Sequence, residues 1–274
     1  MGASPSHRRS KWILSSGPED NSALSQFCNG LFSIQFKPLI RPNHDPPQGR
    51  STKELRWCLR VFTATSFSFF RDLLRTYLVL RREHLEAASF IVLRSMYEAV
   101  CGAHYVEEHY VQYLRTDERQ WAWEMLEQFS VGSKFLKGQR AKDPINTDET
   151  PVPVKLWETI NSFDSIFPNE PTGWAYEFYR LLSEFSHPDH VSFSHYFDFC
   201  AMKGTHQVTF YAGPELDKGY LRTTTGFVAL CAGQVYGKLF RSGELHTAER
   251  SLSRLMVAFR KAEEIYPKPI PKGI

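Results

Sequence analysis

From residue 51 onward, apolar positions recur at intervals of three and four over long stretches, the spacing of helices that bury one face. Ser51-Thr52-Lys53-Glu54 has the form of a capping box, in which the Ser51 hydroxyl and the Glu54 carboxylate each satisfy a free backbone amide. It predicts a long helix from there to about Leu80. The same periodicity predicts helices over about 82–109, 117–137, 154–167, 172–187, 216–240 and 243–265. Pro, Asn, Asp and Thr make 138–153 read as a loop. Phe197, Phe199, Val208 and Phe210 alternate with polar residues around Lys203-Gly204, which favours a small β-hairpin near residues 195–211. The expected fold class is all-α, a multi-helix bundle with that hairpin as an insertion.

Residues 1–50 carry Pro, Gly, Ser and Asn clusters and one short apolar patch, Phe32 to Ile40, and read as a basic, partly disordered N-terminal arm. Residues 51–266 read as the helical bundle domain, and 267–274 as a Pro/Lys tail that cannot continue a helix. Of 274 residues, 42% are apolar and 23% charged, which is enough for a buried core and excludes global disorder. The net charge of +3 is too balanced for a chain that binds nucleic acid by charge alone. Up to Arg60 there are nine Lys and Arg against four Asp and Glu, so the basic excess belongs to the N-terminal region.

Other classes fall away on motifs. Strands and helices do not alternate, and neither G-x-G-x-x-G nor a P-loop occurs, so no nucleotide cofactor is expected. Cys28, Cys58, Cys101, Cys200 and Cys231 are odd in number and never form a C-x-x-C pair. Reduced thiols in a cytoplasmic protein are the simpler reading. The most apolar stretch, Trp57 to Leu80, contains Arg60, Arg71, Asp72 and Arg75, so no membrane association is expected. No G-x-S-x-G elbow is present, so no nucleophilic triad is expected.

Candidate chemistry begins in Ala87 to Ala103, where Arg94 and Glu98 are the only charges. At about 100° per residue their i, i+4 spacing puts them on one helix face, among Phe90, Ile91, Tyr97 and Cys101. A charged pair in such surroundings must be neutralised and hydrogen-bonded. Either Arg94 holds an anion in a polar site, or the pair is an internal brace that also fixes a neighbouring helix. Tyr105, nearly in line with Arg94 along the same helix, extends this as a supporting polar seam.

The second region is Trp174 to His187. Trp174, Phe178, Leu181, Leu182 and Phe185 form a core-facing stripe. Glu177, Arg180, Glu184 and His187 form another, with Tyr176, Tyr179 and Ser183 beside them. Arg180 and His187 differ by only about 20° around the axis and about 10.5 Å along it. Pro188 places His187 where the helix stops, and a helix C-terminus favours the protonated imidazole. Without a function, Arg180 simply laces to Glu177 and Glu184, and Ser183 partners His187 at a capped end.

Arg180-x6-His187 resembles the Arg-to-His helix-end motif of HEPN-superfamily helical ribonucleases, although Leu181 stands where a polar residue often follows the Arg. More broadly, Arg94-Ser95-x-x-Glu98 followed by Ser183-x-x-x-His187-Pro188 resembles an uncharacterised bacterial all-helical domain family. The resemblance implies a metal-independent ribonuclease, a toxin or antiphage-defence effector, that works as a homodimer on RNA with an antitoxin or defence-system partner protein. In that reading His187 exchanges the proton on ribose or leaving oxygen, Arg180 stabilises charge on the phosphorane, and Arg94, oriented by Glu98, holds a second phosphate.

Two alternatives stand beside it. Arg94, Glu98, Ser183 and His187 can form the buried network of a non-catalytic helical interaction module. His187, Asp189, His190 and His195 also concentrate metal-type ligands within nine residues, which would suit a metal-dependent hydrolase.

Overall fold

The structure, a computed structural model, describes residues 23–39, 52–130, 154–184, 197–202, 205–210 and 218–263. Along the chain these form α1 (Ala23–Ser33), α2 (Thr52–Arg82), α3 (Glu86–Thr116), α4 (Arg119–Ser130), α5 (Leu156–Ser162), a 3-10 turn (Phe163–Ile166) and α6 (Trp174–Glu184). Strands β1 (Phe197–Met202) and β2 (Thr205–Phe210) follow, then α7 (Lys218–Ser242) and α8 (His246–Glu263). The multi-helix bundle is the expected architecture. β1 and β2 pair antiparallel with Phe197 opposite Phe210 and Met202 opposite Thr205, inside the segment whose alternation favoured a hairpin.

Helix α3 is the spine, in contact with α2, α4, α5, α6 and α7. Its sequence explains this, because apolar residues such as Leu93, Met96, Tyr97, Val100, Val106 and Tyr110 point several ways around the helix, and all are buried. Between α2 and α7 the core is aromatic: Phe67 meets Tyr236 at 5.0 Å and Phe240 at 5.1 Å, both edge-on. Each such ring withdrawn from water contributes roughly 1.5–3 kcal/mol. Phe36, beyond α1, packs on both Phe67 and Phe240.

The bundle starts earlier than residue 51. Helix α1 lies inside the segment read as a basic arm, and its Phe27, Cys28 and Leu31 belong to the core. Phe27 stacks on Phe259 of α8 at 4.6 Å. Leu24, Phe27, Cys28 and Leu31 do keep helical spacing, but α1 is only 11 residues long and set in Ser- and Asn-rich text, so its signal spans barely three turns.

Two helix–helix turns share one geometry. After α2, the Leu85 amide donates to the Leu80 carbonyl at 2.8 Å and the His84 amide to that of Arg81 at 3.2 Å. After α7, the Leu245 amide donates to Phe240 at 2.7 Å and the Glu244 amide to Arg241 at 2.9 Å. These are Schellman closures, with His84 (φ 56°) and Glu244 (φ 55°) in the left-handed position usually held by glycine. At the second turn the cost is offset by α2: Arg56 and Arg60 reach Glu244 at 2.7 and 2.6 Å, and Arg60 Nε donates to the Gly243 carbonyl. The second helix of the sequence reading, about 82–109, ends further on, at Thr116, where Asp117 adopts φ 56° and donates its amide to the Tyr113 carbonyl. Ser51, and with it the expected capping box, lies outside the described residues.

Candidate functional site

Helix α6 is fixed onto α3 by two kinds of contact. The Tyr97 hydroxyl donates to the Ala175 carbonyl at 3.0 Å, and the Tyr97 ring meets Phe178 edge-on at 4.9 Å. The start of α6 is held from outside its own sequence. One Asp164 carboxylate accepts the amides of Gly173 at 2.6 Å and Ala175 at 2.9 Å, so a residue of the 3-10 turn satisfies free donors of the first helical turn. This cap was not legible beforehand, because the acceptor and its two donors are nine and eleven residues apart.

The crossing places Tyr179 against Arg94 and Glu98. Arg94 Nε lies 3.2 Å from Glu98 Oε1, and both side chains keep about a quarter of their surface, 23% and 26%. The Arg94 guanidinium sits 6.0 Å from the Tyr179 ring centroid. The Tyr179 hydroxyl donates to the Glu98 carboxylate, whose pKa burial nevertheless pushes up; Arg94 and Tyr179 pull it down only in part. The pair is therefore a half-buried brace between two helices, with Phe90, Tyr97 and Cys101 behind it in the core. Ile91, expected beside them, is 48% exposed.

Arg180 is next to Tyr179 in sequence but faces outward. Its Nε donates to Glu177 Oε2 at 2.9 Å and its Nη1 to Glu184, and these contacts raise its already high pKa. Arg94 and Arg180 are thus each committed to carboxylates. Ser183 donates its hydroxyl to the Tyr179 carbonyl one turn back, at 2.9 Å. Tyr105 lies further along α3, stacked on His109 at 3.8 Å, and His109 in turn stacks on Trp121 at 4.4 Å. It belongs to that aromatic column and not to the Arg94 brace.

His187, Asp189, His190 and His195 lie outside the described residues. Among the described residues no three His, Cys, Asp or Glu side chains are grouped to hold a metal ion, and no helix is long and apolar enough to cross a membrane. Cys28, Cys58, Cys101 and Cys231 are thiols outside any disulfide. Burial pushes the Cys28 thiol up to about 12 and the Cys101 thiol up as well, which makes both inert as nucleophiles.

Two buried polar features have no counterpart in the sequence reading. His104 meets Ser165 Oγ through Nε2 at 2.9 Å, and burial, helped by Lys238, pushes its pKa down to about 4. Glu98 also borders a cavity of about 550 Å³ between α2, α3 and Phe129 of α4. Small residues on α3, Ala99, Gly102 and Ala103, are the sequence signal for that space. Comparison with protein-family models, with curated proteins and with solved structures finds no match for this chain.

Proposed function

We propose that this chain is a non-catalytic helical interaction module, in which Arg94, Glu98 and Tyr179 lock α6 to α3. The observation that carries the reading is the disposition of the two arginines. Arg94 is taken by Glu98 and lies over Tyr179, while Arg180 is shared by Glu177 and Glu184 on an exposed face. A phosphate approaching Arg180 would have to displace two carboxylates that repel it. Large apolar side chains stay exposed a turn away from the brace, Ile91 beside Arg94 and Tyr176 beside Tyr179. Exposed apolar groups around a rigid polar lock suit a protein partner better than a water-filled catalytic cleft.

The competing ribonuclease, acting on RNA as a homodimer within a toxin or defence system, requires Arg180 to leave its carboxylates and meet His187. Incubation of the full chain with RNA in EDTA separates the two. The interaction module leaves the RNA intact, and Arg94→Ala lowers Tm. Cleavage in EDTA that disappears in Arg180→Ala and His187→Ala proteins of unchanged Tm would overturn the proposal.

A further inference from the structure

Helices α2 and α3 pack side by side, yet a cavity of about 550 Å³ remains between them, bounded at one end by Phe129 of α4. Its α2 wall is Val61, Phe62, Thr65, Ser66 and Phe69, a single helix face. The α3 wall is Ala99, Gly102 and Ala103, too short to fill the space opposite those rings. A Cβ on Gly102 would already lie 3.2 Å from the Phe129 ring. The size falls within the roughly 300–1,000 Å³ of small-molecule sites, and an apolar lining with few polar groups is their usual character.

Those few polar groups are informative. The Ser66 hydroxyl is committed to the Tyr236 hydroxyl at 2.9 Å. The Glu98 carboxylate pairs with Arg94 and takes the Tyr179 hydroxyl, which leaves part of its about four acceptor positions open. Burial lifts its pKa in spite of Arg94, so the charged form gains from one more donor. Three phenyl rings, Phe62, Phe69 and Phe129, add a second preference of the same sign, since the ring quadrupole attracts cations.

We infer that this cavity binds a small organic ammonium ion, its apolar body among Phe62, Phe69 and Phe129 and its charged head on Glu98. Phe69 (57% exposed) and Thr65 form the mouth through which it enters. The site does not depend on how the chain engages a protein partner.

Calorimetric titration of the full chain near neutral pH with phenethylammonium, phenethyl alcohol and hydrocinnamate tests this. The ammonium ion binds roughly tenfold more tightly than the alcohol, and the carboxylate shows no saturable binding. Glu98→Gln brings ammonium and alcohol together. Ala99→Leu fills the cavity and Thr65→Trp closes its mouth, and each abolishes ammonium binding. Thr65 is exposed, so its replacement keeps the test decisive if Ala99→Leu fails to fold. No saturable binding of the ammonium ion, equal binding of the alcohol, or unchanged binding in Thr65→Trp would overturn the assignment.

Discussion

His104 on α3 and Ser165 on the 3-10 turn meet at 2.9 Å in the interior, and the imidazole there is neutral. Burial and Lys238 hold its folded pKa at about 4, against 6.5 for the free side chain. A group whose folded pKa is depressed takes up its proton more readily in the unfolded chain. Its stabilising contribution is therefore complete above about pH 6.5 and lost as the pH falls toward 4. The loss is on the order of 3 kcal/mol. Glu98 and Glu107, both pushed up by burial, act in the opposite direction over the acid range. Urea midpoints of the natural protein and of His104→Gln isolate the histidine: the variant should show a distinctly flatter decline between pH 6.5 and 4.

The two arginines should behave differently when truncated. Arg94→Ala leaves a half-buried Glu98 with only Tyr179, and should cost on the order of 1–2 kcal/mol. Arg180→Ala removes contacts made in solvent and should leave Tm unchanged. Thermal melts of both variants check this, and a larger loss from Arg180→Ala would contradict the brace.

Asp164→Ala should destabilise α6 by about 1–2 kcal/mol, because the Gly173 and Ala175 amides lose their acceptor. Asp164→Asn keeps an acceptor oxygen and should recover part of the loss. Amide hydrogen exchange reads it locally: protection should fall in the first turn of α6 before it falls in α3.

Phe27→Ala and Phe259→Ala should each cost about 3–5 kcal/mol, since both rings are fully buried. Their stacking should appear in a double-mutant cycle as a coupling of about 0.5–1.5 kcal/mol. Additive losses would mean that α1 is not seated on α8.

Long periodic helices were legible in the sequence because their burial pattern repeats over many turns; α2, α3, α7 and α8 all fall where periodicity placed them. Helix α1 was not, since its place in the core is set by a partner more than 200 residues away. The i, i+4 pair of Arg94 and Glu98 was equally readable from local spacing. What it touches was not, because Tyr179 arrives from another helix and only the α3–α6 crossing decides that meeting. Arg180 was read with two fates, and its carboxylate neighbours at i−3 and i+4 favour the simpler one. The cavity was invisible for a related reason. Ala99, Gly102 and Ala103 look like ordinary helix formers until α2 and α4 bring three phenyl rings opposite them.

The stacking of Phe27 on Phe259 has a consequence for biosynthesis. At about 5–20 residues added per second, roughly ten to fifty seconds separate the emergence of the first ring from that of the second. Throughout that interval the greasy side of the leading helix has no permanent seat. The pairing of α1 with α8 is therefore a late step of folding during synthesis, and it cannot seed the bundle.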